Sequence, residues 1–246
     1  MANLKVALRT LFKTPFVTAV AVLSLALGIG ANAAIFSLFN QMLLRPLPVP
    51  EPHRLVNLAG SFPNPGSQSC SMAGNCDVVF SYPMFRDLEK AQTVFTGIAA
   101  HRQFGANLSF RKQTLNAQAS FVSGSYFPVL ELKPALGRLF GPADDLGVGA
   151  SPLAVLGYSY WETKLASDPT VIGQPITING QPFTIIGVAP RGFDGTTLGG
   201  KPAIYVPISM RGVLEPGFKY FDRRTTYWIY LFARLKPGVS PAQAKR

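Results

Sequence analysis

Three groups of residues in this 246-residue chain are of types that could do chemistry. Gly195-Thr-Thr-Leu-Gly-Gly200-Lys201 fits the opening of a phosphate-binding loop, G-x-x-x-x-G-K, in which backbone N–H groups cradle phosphates and the lysine reaches them. Pro202 stands where a Ser or Thr hydroxyl would hold Mg²⁺, and the following Ala203-Ile-Tyr-Val reads as strand instead of the required helix. The pattern therefore argues against nucleotide binding. Asp144-Asp145 is a pair of adjacent carboxylates, but its Gly- and Pro-bearing loop predicts two solvated side chains and not a metal or acid pair. Cys70 and Cys76, with five residues between them, lie in a loop rich in Ser, Gly, Asn and Pro. In an oxidising compartment that spacing favours a local disulfide, worth about 2 kcal/mol for so short a ring, over two free thiols. The two histidines, His53 and His101, lack paired-ligand spacing, and a metal would need more soft ligands than two cysteines. No His-Glu-x-x-His, Gly-x-Ser-x-Gly or Ser, His, Asp constellation occurs. These residues argue for neither an enzyme nor a bound cofactor or metal.

The element that must position everything else is residues 14–44, thirty-one residues without a charged side chain, preceded by Lys5, Arg9 and Lys13 with no acidic residue among them. A helix of that length reaches about 45 Å, beyond the roughly 30 Å of bilayer hydrocarbon. Ten strongly apolar residues between Phe16 and Phe36 each favour insertion by about 0.3–0.6 kcal/mol, about 4 kcal/mol together. A cleaved secretory signal is the competing reading, because Ala31-Asn32-Ala33 has a small-x-small form. The anchor is favoured, since the apolar run exceeds a 7 to 15 residue signal core and cleavage would expose Ile35-Phe36 near a new terminus. Under either reading the basic residues keep the N-terminus in the cytoplasm and place the chain after about Arg45 across the membrane.

Leu4, Ala7, Leu8, Leu11 and Phe12 recur at helical spacing, while Lys5, Arg9 and Lys13 form a basic stripe, an amphipathic pattern suited to lipid headgroups. Within the span, Ser24, Gly28 and Asn32 are spaced by four, as are Gly30 and Ala34, and such small-residue lines allow another transmembrane helix close approach. Pro46, Pro48, Pro50 and Pro52 alternate after the span, which excludes helix and predicts a stiff, extended connector. Movement of the helix could then be felt by whatever follows.

About two hundred residues remain, enough for one substantial core or two small subdomains. Strands are expected over 54–59, 106–110, 114–122, 203–207 and 227–235 and from Leu153, with helices from Ser81 through Phe85 and Leu88 toward Phe95, over 123–130 and over 158–165. The clearest local signal is Asn179-Gly180 between the β-branched runs 175–178 and 182–188, a hairpin whose turn residues both tolerate positive φ. Trp161 and Trp228 fall in periodic segments and read as core. The class is α+β, with one N-terminal transmembrane helix and a mixed α/β core of two subdomains. Ser240-Pro241 opens a helix of about one turn, too short to be stable alone, which predicts a core that is incomplete at its C-terminus.

The net charge of +11 falls to +8 after Leu44, where twenty basic residues face twelve acidic ones and the basic ones are mostly scattered singly. No nucleic-acid motif accompanies them, so a solvated basic surface is the expectation.

The stretch Ala26-Leu-Gly-Ile-Gly-Ala-Asn-Ala-Ala-Ile-Phe-Ser followed by Leu43-Leu-Arg-Pro-Leu-Pro resembles the first transmembrane helix and exit segment of MacB-like permeases with FtsX-like domains, especially the acidobacterial-type duplicated orphan permeases. Pro134-Ala-Leu-Gly-Arg, Ala154-Val-Leu-Gly-Tyr-Ser-Tyr-Trp, Asp168-Pro-Thr-Val-Ile-Gly and Asn179-Gly-Gln-Pro-Phe-Thr-Ile-Ile-Gly-Val-Ala-Pro resemble the MacB periplasmic core domain in order and spacing. The resemblance covers nearly the whole chain and divides it into 1–44, amphipathic segment and membrane helix, and 45–246, periplasmic core. It implies a type VII ABC-transporter-like permease subunit of the bacterial inner membrane, a homodimer when full-length, driven by a separate cytoplasmic ATPase and contacting lipid. Three further helices would follow the core in such a permease. The cysteine loop is not part of the resemblance. A membrane-tethered or secreted periplasmic binding module without transport activity is the other function class.

Overall fold

The computed structural model describes residues 13, 15–39, 46–60 and 65–245. The amphipathic pattern over residues 4–12 therefore lies outside the described residues, as do Arg45 and the end of the apolar run. Two compact units emerge, residues 1–46 and 47–246.

The first unit contains α1 (Pro15–Phe39), of which Pro15–Ser37 is long and apolar enough to cross a membrane. Its 25 residues correspond to about 37 Å of helix, sufficient for the hydrocarbon layer. Phe16, Leu23, Leu27, Ile29 and Phe36 are all exposed. Ser24, Gly28, Gly30, Asn32 and Ala34 are likewise exposed, and a Cβ added at Gly28 or Gly30 would meet no heavy atom within 4 Å.

The second unit is a nine-stranded mixed sheet with short helices. Its strands are β1 (Leu55–Leu58), β3 (Phe95–Phe110), β4 (Gln113–Val122), β5 (Leu136–Gly137), β6 (Leu153–Leu156), β7 (Pro175–Ile178), β8 (Gln181–Val188), β9 (Ile204–Pro207) and β11 (Tyr230–Leu235). Two short strands, β2 (Ser67–Gln68) and β10 (Thr226–Tyr227), pair in parallel as a separate ribbon. The helices are α2 (Tyr82–Ala91), α3 (Tyr126–Leu130), α4 (Tyr158–Lys164) and α5 (Arg211–Leu214).

The main sheet runs β1-β11-β3-β4-β9-β6-β8-β5, and β7 pairs with both β3 and β8. Strands β3, β4, β9, β6, β8 and β7 consequently close into a ring, while β11 and β1 extend from the N-terminal half of β3. Strand alternation explains the filling of the ring. Ala106, Leu108, Phe121, Leu156, Ile176, Ile185, Ile204 and Val206 belong to one buried cluster. The adjacent positions Val122, Val155 and Tyr205 turn the other way, onto Tyr126, Phe127 and Leu130 of α3 and onto Phe193. Each large side chain so buried contributes about 1.5–3 kcal/mol, and burial on both faces makes strands such as β9 continuously apolar.

Local chemistry fixes the turns. Asn179 (φ 46°) and Gly180 (φ 81°) join β7 to β8 as a two-residue turn, and Arg111 (φ 48°) with Lys112 (φ 66°) does the same for β3 and β4 without a glycine. Ser81 caps α2, its Oγ accepting from Met84 N at 3.4 Å. Ser240 and Gln243 exchange bonds around the final turn.

Two expectations change. The segment 227–235 is not one strand: Trp228 and Ile229 donate their N–H groups to Phe80 O, which pulls the chain out of the ladder between β10 and β11. The carboxylates at 144 and 145 are not solvated. Asp145 is 1% exposed and accepts from Arg86 Nη2 at 2.9 Å and from the N–H groups of Gly124 and Ser209. Asp144 is gripped by both terminal nitrogens of Arg138, at 2.7 and 2.9 Å.

Candidate functional site

The connector, residues 47–58, is the place where the core meets the chain leading to the span. Leu47 and Val49 pack against the cluster that contains Phe232 and Tyr126. Val49 N donates to Leu47 O at 2.8 Å, and Glu51 adopts left-handed backbone (φ 42°) before a turn of 3-10 helix at Pro52–Arg54. The expected extended strut is therefore not kept: residues 46–51 stay out of helix, but Pro52 opens a 3-10 turn and the chain bends. It then becomes β1, which pairs antiparallel with β11 from Leu55↔Arg234 to Leu58↔Leu231.

Two arginines fasten it. Arg234, fully buried in β11, donates from Nε to Val129 O at 2.6 Å and from Nη1 to Pro50 O at 2.9 Å. Its nearest carboxylate is Glu131, 3.6 Å from Nε. Burial lowers the pKa of this guanidinium and Glu131 opposes the shift. Arg54 reaches the other way, donating from Nε and Nη2 to Leu235 O at 3.0 and 2.6 Å and from Nη1 to Glu51. One guanidinium thereby ties the connector to α3 through β11, and the other ties the end of β11 to the connector. A buried guanidinium that loses a partner costs several kcal/mol, so separating the connector from β11 and α3 is costly.

Arg234 was hidden in the sequence. It sits in Tyr-Leu-Phe-Ala-Arg-Leu, where all six residues are buried. A lone Arg in an apolar strand was the available signal, although nothing in the sequence named its partners.

The cysteines lie elsewhere. Cys70 and Cys76 are joined by a disulfide, with Cα atoms 4.9 Å apart. The ring is held by Tyr230 Oη, which accepts from Ser71 N and lies 2.8 Å from Gly74 O. Arg102 Nη1 also donates to Ser69 O at 2.6 Å. His101 is buried beside Tyr126, Tyr230 and Phe232, and burial lowers its pKa to about 4. Among the described residues no group of three His, Cys, Asp or Glu could hold a metal.

The phosphate-loop look-alike forms turns, not a loop entering a helix. Lys201 Nζ lies 3.6 Å from Asp194. Trp161 Nε1 donates to Asp168 O at 2.9 Å, and Trp228 is fully buried among Tyr82, Phe218 and Phe221.

Comparison with known proteins bears on the fold. The periplasmic region of MacB from Actinobacillus actinomycetemcomitans superposes with a TM-score of 0.55 at 17% identity, covering 78% of this chain and 77% of that one. The extracellular domain of YknZ, a noncanonic ABC-type transporter from Gram-positive bacteria, gives 0.51 at 17% identity, covering 78% and 85%. At those identities the likeness is one of fold. No curated protein sequence matches the chain. The model of the MacB-like periplasmic core domain matches residues 18–246, nearly the whole length, and the chain therefore belongs to the MacB-like periplasmic core domain family.

Proposed function

We propose that this chain is the N-terminal part of an ABC transporter permease subunit, anchored in the bacterial inner membrane by α1, with its core in the periplasm. The core couples movement of the membrane helix to export or mechanical work on a partner. A separate cytoplasmic ATPase supplies the energy, and the full-length permease is a homodimer. The observation that carries the coupling is the double arginine fastening of the connector to β11, which leaves no slack between residue 47 and the sheet. Ser24, Gly28 and Asn32, with Gly30 and Ala34, supply the close-packing lines for neighbouring helices.

The test is hydrogen exchange of residues 47–58 in the membrane-embedded permease together with its co-purified ATPase, in the ATP-bound and vanadate-trapped states. Exchange that differs between the states, and ceases to differ when Pro46, Pro48 and Pro50 are replaced by Ser, supports transmission. Identical exchange in both states rules it out. A tethered binding module without transport is the second reading, favoured by an open crevice beside the disulfide ring. It takes over if no ATPase co-purifies.

A further inference from the structure

Strand β3 has a gap along one edge. β11 pairs with it as far as Tyr230↔His101, and β7 joins only at Ile178↔Leu108. On the opposite edge β4 follows it without interruption from His101 to Phe110. Successive residues of an antiparallel strand point their N–H and C=O groups to alternate edges. Ser123 N donates to Ala100 O, and Ser120 Oγ lies 3.5 Å from Arg102 O, so even-numbered residues face β4. Asn107 faces the gap side, where its N–H donates to Asn179 Oδ1 and its C=O accepts from Asn179 N. Ala203 N donates to Gln118 O, opposite Gly105, which gives the same phase. Gln103 and Gly105 therefore turn their backbone N–H and C=O groups into the gap, where among the described residues no strand pairs with them.

The gap opens into a crevice of about 460 Å³ lined by Met72 of the disulfide ring, Arg102, Gln103, Phe104, Gly105 and Gln118, among others. Gly105 is exposed and a Cβ there would meet nothing within 4 Å, whereas Gln103 is buried, so the edge is most open at Gly105. Phe104, stacked on Phe121 at 3.9 Å, and Met72 offer apolar contact on one side. The other end carries Arg102, which is buried, donates from Nη1 and Nη2 to Ser69 and Trp228 and has no ion-pair partner among the described residues, its Nε having no hydrogen-bond partner; Glu215, which also lines the crevice, is held by Arg211 Nε at 2.8 Å. Burial, and then repulsion from Arg211, lowers the Arg102 pKa to about 10. A negative group placed here would give Arg102 the carboxylate it lacks.

We propose that this gap binds an extended peptide segment of a partner protein, which adds as a strand against Gln103 and Gly105 and directs an acidic side chain toward Arg102. Strand addition supplies main-chain bonds for affinity and alternating side-chain contacts for specificity. A small anion would satisfy Arg102 and leave the strand edge unpaired, so the backbone gap and the charge together select a peptide. This inference does not depend on the coupling reading, and the disulfide ring, which forms one wall, gains a purpose.

The test pans the full chain in nanodiscs against a random octapeptide phage library and measures the enriched peptides, labelled, on wild type, Gly105→Pro and Arg102→Gln. Gly105→Pro removes an N–H that faces the gap and leaves the β4 ladder intact. The expected result is peptides sharing an Asp or Glu that bind Gly105→Pro at least tenfold more weakly and lose their preference over the Asn or Gln counterpart on Arg102→Gln. In the wild type, bound peptide should slow exchange of the Gln103 and Gly105 amides, a readout that survives if a variant does not fold. No enrichment over empty nanodiscs, or enriched peptides that leave those two amides unchanged, overturns the proposal. Concentration-dependent self-association that is abolished by Gly105→Pro, without peptide enrichment, assigns the gap to a second copy and overturns the partner reading.

Discussion

Replacing Arg234 by Met retains much of the apolar stem while removing two bonds from a charged donor, to Pro50 O and Val129 O. Each such bond is worth about 1.5–3 kcal/mol, a gross loss of about 3–6 kcal/mol. Against it stands the desolvation of a buried guanidinium, whose removal typically returns about 1–4 kcal/mol when an apolar side chain fills the site. The expected net destabilisation is about 2 kcal/mol, whereas Arg234→Ala, which also leaves a cavity, should cost about 3–5 kcal/mol. The local effect is more diagnostic than the global one. Losing the Pro50 bond should speed exchange of the Val49 and Arg54 amides about 10- to 100-fold, at about 1.4 kcal/mol per tenfold. Amides in the middle of β4 should accelerate only as far as global stability falls. Hydrogen exchange with mass spectrometry, beside urea denaturation, separates the two. If Arg234→Met loses stability as expected while Val49 and Arg54 exchange at wild-type rates, Arg234 is a packing residue and the connector is not clamped.

Replacing both Cys70 and Cys76 by Ser should cost about 2 kcal/mol and loosen the backbone over 69–74, read by denaturation and exchange; an unchanged midpoint would mean the ring constrains nothing. His101, lowered from 6.5 to about 4 by burial, must charge on unfolding. Its contribution is present above about pH 6.5 and fades by about 3 kcal/mol as the pH falls to 4, so His101→Phe should flatten the stability curve in that window. Asp168 is lowered to about 2 by the Thr170 hydroxyl and backbone N–H and then by Arg111. The sign is opposite to that of a buried acid: its stabilisation is present above the ordinary value of 3.8 and is lost as pH falls through about 2, a step that carboxyl NMR should detect and Asp168→Asn should remove. At Gly187, a Cβ would stand 1.9 Å from Arg138 O, so Gly187→Ala should force β5 from β8 at a cost of about 3 kcal/mol, measured by thermal unfolding.

Local chemistry was legible in the sequence and long-range pairing was not. Asn179-Gly180 announced its hairpin because few dipeptides tolerate two positive φ values, and Ser81 announced its helix because a capped first turn with Pro83 has few alternatives. The hairpin at Arg111-Lys112 was placed by alternation on either side, although neither residue is a usual left-handed one. Residues 95–105 gave no strand signal, because Gly97, Ala99, Ala100 and Gly105 dilute it, and yet they hold the sheet together by pairing with β11 and β4. Ring closure through β7 depends on contacts seventy residues apart in sequence, such as Leu108↔Ile178, which no periodicity reports. The carboxylates at 144 and 145 were misjudged for the same reason: their partners Arg138 and Arg86 make them structural, and Arg86 is remote in sequence.

The most direct measurement of the proposed anchoring and topology is a pair of reporter fusions, alkaline phosphatase and a cytoplasmic fluorescent protein, placed after Lys13 and after Val56, with the membrane fraction sized by blotting. Phosphatase activity only at Val56, fluorescence only at Lys13, and a full-length membrane-bound product are the predicted results. A soluble periplasmic product shortened by about thirty-three residues would show cleavage after Ala33, and the connector would then have no membrane helix to follow.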